Sequence, residues 1–189
     1  GHPWILNPVV DGQPPDYPFS EVPDPPADLT WDDILYVIGG YGWKARFIGQ
    51  DGSVVTGDQA QYNLDNEVLG IDSEFVAYHP DLNQQPYDCG ACHTTGFNPA
   101  GEQEDLPGIT GSWAAPGVQC EACHGPGSRH ASSPQAVRMI VDRSASACQE
   151  CHVEGPADAV DAETGFVLHH DSYGAVSYTH LTLPTNREV

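Results

Sequence analysis

A mainly irregular fold, with short helices and one small antiparallel β-meander near residues 34–57, is what this sequence of 189 residues predicts. Three observations predict it. Hydrophobic residues make up 39% of the chain, short of the usual apolar share of a globular domain, so a core built of protein alone would be thin. Gly and Pro together supply 37 residues, enough to interrupt long elements yet under the roughly 25–30% of low-complexity chains. All six cysteines fall in one short pattern used three times, so the fold is organised by whatever those cysteines hold. No long helix and no large sheet is expected.

The elements follow in order. Residues 1–30 carry eight prolines and should run extended over the surface, because Pro removes a backbone donor and resists regular elements. Thr30 with Asp32 and Asp33 can cap one helical turn. Residues 34–38 are apolar and β-branched, Gly39-Gly40 breaks them, and residues 43–48 alternate around Ala45 and Phe47. Gln50-Asp51-Gly52-Ser53 is a strong turn signal before Val54-Val55-Thr56, which completes the meander. Later, Gly- and Pro-rich loops span 96–117 and 125–127, and residues 134–143 suit one short helix. The organisation expected is a Pro-rich segment plus meander over 1–77, a cysteine-organised domain over 78–175 and a tail over 176–189.

The repeated pattern is Cys89-Gly-Ala-Cys92-His93, Cys120-Glu-Ala-Cys123-His124 and Cys148-Gln-Glu-Cys151-His152. CxxCH is the attachment signature of c-type haem. Two thiols about one helical turn apart add across the two vinyl groups of one porphyrin, and the following imidazole becomes the proximal iron ligand. Paired CxxC units also bind zinc, but zinc does not require His directly after the second Cys. With 9 His in 189 residues, three such coincidences would arise in roughly one chain in ten thousand. Disulfides suit six cysteines in an exported chain but leave His93, His124 and His152 unexplained. Three haem c groups are therefore expected. First-to-first cysteine intervals of 31 and 28 residues leave little polypeptide to separate them. Because such haems are attached outside the cytoplasm, the location expected is periplasmic or extracellular. The chain opens on Gly1 without an export signal, as a processed chain or a fragment would.

Each iron needs a sixth ligand, and His2, His79, His130, His169, His170 and His180 stand outside the motifs. His130 follows His124 by six residues across Gly125-Pro126-Gly127. So short a link can hardly pass round a porphyrin edge, so His130 should serve a neighbouring haem. His79 and one of the adjacent pair His169 and His170 are the next candidates, then His2. Met139, the only methionine, is expected to pack rather than ligate. A formal charge of −21 argues against nucleic acid and anionic membrane surfaces and favours basic redox partners. No run approaches the roughly 18 apolar residues of a membrane helix.

The stretch Cys89-Gly-Ala-Cys-His-Thr-Thr-Gly-Phe97, then Trp113, then Gly117-Val-Gln-Cys-Glu-Ala-Cys-His-Gly-Pro-Gly-Ser-Arg-His130 resembles multihaem cytochromes of the cytochrome c-554 class. Residues 36–47 and 165–173 are similar to members of that class too. The resemblance implies bis-histidine haems in a stacked chain, His130 as a distal ligand, and electron transfer rather than substrate turnover. It also implies flanking haem motifs that this chain lacks, as an internal piece of a longer cytochrome would. Residues 177–189 resemble translated adapter read-through. A multihaem oxidoreductase on small nitrogen or sulfur compounds would need an open iron position, yet distal candidates outnumber irons and no CxxCK unit is present. A subunit of a homo-oligomer or extracellular cytochrome filament is the remaining alternative.

Overall fold

The computed structural model describes residues 5–15, 21–41, 44–67, 70–140 and Cys151. The chain divides into two compact units, residues 1–140 and 141–189, and every described residue except Cys151 lies in the first.

Strands dominate. Seven of them form one sheet: β1 (Leu6–Pro8), β2 (Ile34–Gly39), β3 (Lys44–Gly49), β4 (Ser53–Val54), β5 (Gly57–Asn63), β6 (Glu74–Tyr78) and β7 (Gln85–Pro86). The order is β1-β2-β3-β4-β7, with β5 paired to the other end of β3 and β6 paired to β5. All named pairings are antiparallel. The meander expected over 34–57 is present as β2, β3 and β4, but it is the middle of a larger sheet, which corrects the expectation that no large sheet forms. The Pro-rich segment is not all surface either: β1 pairs with β2, Leu6 opposite Ile38, and Leu6 is buried. Pro8 is tolerated because β1 is an edge strand.

Alternation sorts the side chains onto two faces. A register shift between Ile34 and Tyr36 puts Ile34 and Val37 together on one side of β2. Together with Val22 and with Ala45 and Phe47 of β3, they make one buried cluster. The opposite face carries Ile48, Val54, Leu6, Tyr87 and Ile109, with Tyr36, Ile38, Tyr78 and Trp113 packed against it. At the start of β2, Trp31–Asp33 forms a 3₁₀ turn, closed by Asp33 Oδ2, which accepts from the Thr30 amide and hydroxyl at 2.8 Å each.

After the sheet come α1 (Gly90–His93), the strand pair β8 (Thr94–Thr95) and β9 (Ala115–Pro116), α2 (Cys120–His124) and α3 (Ser128–Ser132), and from this part of the chain Ile109 and Trp113 pack with Ile48 and Tyr87. The loop between β8 and β9 is fastened to the sheet at Gly108. Its amide donates to the Asp51 carbonyl (2.9 Å) and its carbonyl accepts from the Tyr87 amide (2.7 Å). A Cβ at Gly108 would lie 2.3 Å from the Ser53 amide nitrogen, so only glycine permits this approach. The helix expected over 134–143 does not form across its described part. Residues 134–137 make a turn and 138–140 run without regular structure, because carbonyls there accept from histidine rings instead of helix amides, as described next.

Candidate haem-binding site

Both described CxxCH units are single helical turns, as two thiols serving one porphyrin edge require. In the first, the amides of Cys92 and His93 both donate to the Cys89 carbonyl, at 3.2 and 3.1 Å. The Thr94 hydroxyl closes the turn on the Gly90 carbonyl at 2.6 Å. In the second, α2 runs over Cys120–His124 and ends at Gly125, whose φ of 68° reverses the chain in a conformation that favours glycine.

One residue joins the two units. The Thr95 hydroxyl donates to the Gly117 carbonyl and accepts from the Gln119 amide, both at 2.8 Å. Gln119 immediately precedes Cys120, and Thr95 lies two residues after His93, so the turns are tied through one buried hydroxyl. The Gln119 side chain adds a bond to the Pro116 carbonyl at 2.9 Å. This fixes the spacing between the two attachment points.

The second unit has its imidazole set for ligation. His124 Nδ1 lies 2.6 Å from the Ile140 carbonyl oxygen. His130, in α3, repeats the arrangement: its Nδ1 lies 2.6 Å from the Val137 carbonyl oxygen. A ring that donates from Nδ1 to a carbonyl keeps its lone pair on Nε2, the tautomer a metal ligand needs. Both rings are thus oriented by one segment, 137–140. His124 and His130 line a common cavity of about 460 Å³ together with Cys120, Glu121 and Met139. Glu121 braces the Gly-Pro-Gly link by accepting from the Gly127 amide at 2.5 Å.

The first unit is more deeply set. Burial, then the Arg46 charge, holds the His93 imidazole down at about 4, so it is neutral at pH 7. Its Nδ1 is buried without a hydrogen-bond partner, and so is the Tyr87 hydroxyl. Burial, followed by the charges of Cys89 and Cys92, raises the Tyr87 phenol. Burial and the Asp88 carboxylate push the Cys89 thiol up to about 11, against an opposing pull from Arg46.

These features fit covalently bound haem. Cys89, Cys120 and Cys123 are unbridged, so neither the 89/92 nor the 120/123 pair is a disulfide. Among the described residues, no three His, Cys, Asp or Glu side chains converge as a metal cage would. Orphaned polar atoms around Cys89–His93 mark a place completed by something other than this chain's side chains.

Of the remaining expected ligands, His79 is exposed just after β6. It takes a left-handed φ of 44°, a strained choice for a non-glycine residue, and its ring meets Tyr78 edge-on at 4.4 Å. His2, His152, His169, His170, His180 and Cys148 lie outside the described residues, and Cys151 is described only as exposed in a turn. Sequence reasoning missed Arg46, Tyr87, Thr95 and the 137–140 carbonyls. Thr95 and Tyr87 could have been suspected from their places directly beside a CxxCH unit. Backbone carbonyls leave no mark in a sequence.

Residues 59–125, which contain both described CxxCH units, match the family described as cytochrome c554 and c-prime. That match spans about a third of the chain. No curated protein matches it. Two solved structures resemble it. One is the undecahaem cytochrome from the S-layer of Carboxydothermus ferrireducens, with 24% identity and a TM-score of 0.42 over 67% of this chain and 19% of that one. The other is the outer cell wall cytochrome OcwA, with 22% identity and a TM-score of 0.48 over 74% of this chain and 32% of that one. The chain thus spans well under two thirds of either structure's length. Among the described residues no helix is long and apolar enough to cross a membrane.

Proposed function

We propose that this chain passes electrons along three closely spaced, covalently attached haem c groups, each held between two histidines, on the outer side of the cytoplasmic membrane. Cys89 with Cys92, Cys120 with Cys123 and Cys148 with Cys151 would hold the porphyrins by thioether bonds, and His93, His124 and His152 would be proximal ligands. The bound haems supply reversible one-electron chemistry at iron. His130, His79 and one of His169 and His170 would fill the distal positions. With net charge −21, the surface suits redox partners that present basic faces.

The observation that carries this reading is the matched treatment of His124 and His130. Each gives Nδ1 to a carbonyl of the 137–140 segment at 2.6 Å and keeps Nε2 for a metal. One is a proximal ligand by its motif, so the other, held alike, is read as a distal one. The link of Gly125-Pro126-Gly127 directs it to an adjacent haem.

Carbon monoxide binding tests it. The oxidised and reduced protein should show low-spin haem spectra, and carbon monoxide should leave the reduced spectrum unchanged, since six-coordinate iron offers no open position. His130→Gly should keep every haem attached and allow one equivalent of carbon monoxide to bind. Low-spin haems that ignore carbon monoxide in both proteins would remove His130 from the ligand set.

A further inference from the structure

The strand pair between the two described CxxCH units is short. β8 and β9 share two residue pairs, Thr94 opposite Pro116 and Thr95 opposite Ala115, and Pro116 has no amide to give to the ladder. Gly96, at a φ of 70°, bends the chain directly after β8. The Thr95 side chain lengthens the connection. Its hydroxyl donates to the Gly117 carbonyl and accepts from the Gln119 amide, both at 2.8 Å and both past the end of β9. Thr95 is buried, so water is a poor substitute for either bond.

Each end of this connection runs straight into an attachment turn. On one side, the buried Thr94 hydroxyl gives to the Gly90 carbonyl at 2.6 Å, so β8 is fixed to the turn that carries Cys89 and Cys92. On the other, Gln119 opens α2 one place before Cys120, and its side chain bonds the Pro116 carbonyl at 2.9 Å. Along the chain the first cysteines of the two turns are 31 residues apart. Across the Thr95 hydroxyl, one hydrogen bond joins residues that closely flank them.

We propose that Thr95 is a positioning residue for electron exchange: its hydroxyl sets how the haem carried by Cys89 and Cys92 lies relative to the one carried by Cys120 and Cys123. The proposal rests on the haem reading above. In the step concerned, one electron leaves the ferrous iron of one haem and reduces the ferric iron of the other, with no bond made or broken and no proton moved. Its rate depends steeply on the separation and angle of the two rings, which follow from the placement of the two attachment turns. Without the hydroxyl, the Gly117 carbonyl and the Gln119 amide would lose their partner in a mostly buried place. The 117–119 turn would then shift to recover bonds, and Cys120 would move with it.

The test uses the haem-loaded protein and two measurements: hydrogen exchange at the Gln119 amide, and electron exchange between the first two haems by two-dimensional exchange NMR at partial reduction. In the unaltered protein the Gln119 amide should be protected. Thr95→Val keeps the shape but removes the hydroxyl, so that protection should vanish and electron exchange should slow about tenfold. Thr95→Ser keeps the hydroxyl and should restore most of both. Gln119 has a φ of −81°, close to what proline prefers, so Gln119→Pro deletes the amide itself and leaves no unpaired donor. It should slow electron exchange in the same way, and it decides the matter where Thr95→Val does not accumulate. Unchanged exchange between the haems in both Thr95→Val and Gln119→Pro overturns the proposal, as does an unprotected Gln119 amide in the unaltered protein. A Thr95→Ser protein as slow as Thr95→Val overturns it too, because packing and not the hydroxyl would then be responsible. A protein that carries no covalent haem, by its pyridine haemochrome spectrum, would instead overturn the reading beneath it.

Discussion

His93 and His124 share a motif but differ in setting. His124 meets a carbonyl oxygen at 2.6 Å, whereas His93 is buried with Nδ1 unpaired and titrates down near 4. A buried imidazole resists its proton because the charged form loses hydration there. The unfolded chain, with His near 6.5, takes up that proton first as the pH falls. The stability His93 contributes is therefore complete above about pH 6.5 and drains away towards pH 4. Denaturant unfolding at pH 5.5 should take up about one proton from this group, measured as the slope of unfolding free energy against pH. A flat profile between pH 6.5 and 5 would mean that His93 is already charged, or freely hydrated, in the folded protein. Haem ligation works in the same direction, since an imidazole bound to iron cannot also hold that proton.

At the scale of elements, the sequence announced β2 to β4 because residues 34–38 are β-branched and the Asp51-Gly52 turn is explicit. It hid β5, whose residues Gly57–Asn63 are mostly polar, and β1, which ends on a proline. Edge and half-exposed strands need little apolar content, so composition says little about them. The CxxCH turns were legible because haem chemistry fixes the residue types and their spacing. The helix over 134–143 failed for a tertiary reason: Val137 gives to His130 the carbonyl that a helix would have offered to the amide four residues on, and the Ile140 carbonyl is taken by His124. What ties the motif-bearing loop to the sheet was legible only as a glycine. Gly108→Ala would bring a methyl group to 2.3 Å from the Ser53 amide and should force the loop off Asp51 and Tyr87. The expected cost is at least about 2 kcal/mol, read as a drop in the thermal unfolding midpoint. Unchanged stability would show that the loop docks by other contacts.

For the whole molecule, the thin core expected from composition is only half of the picture. The sheet has its own apolar interior: Val37, Ala45, Phe47 and Ile48 are all fully buried, on both of its faces. By contrast, the described segment from Cys120 to Ile140 contains no fully buried side chain and is arranged around His124 and His130. Apolar burial should hold the first part without haem, while the second, on the haem reading proposed above, should need porphyrin surface and iron ligation to stay ordered. The six basic residues make trypsin a direct probe of this division. Lys44 and Arg46 lie in β3, and Arg129 and Arg138 lie in or beside α3. In a variant with Cys92, Cys123 and Cys151 all changed to Ala, cleavage after Arg129 and Arg138 should become fast if His130 in α3 is the distal ligand proposed above. Lys44 and Arg46 should stay protected by strand pairing on both sides, and the far-ultraviolet strand signal should persist. Cleavage at all four sites at one common rate would show that the sheet too needs haem in order to fold.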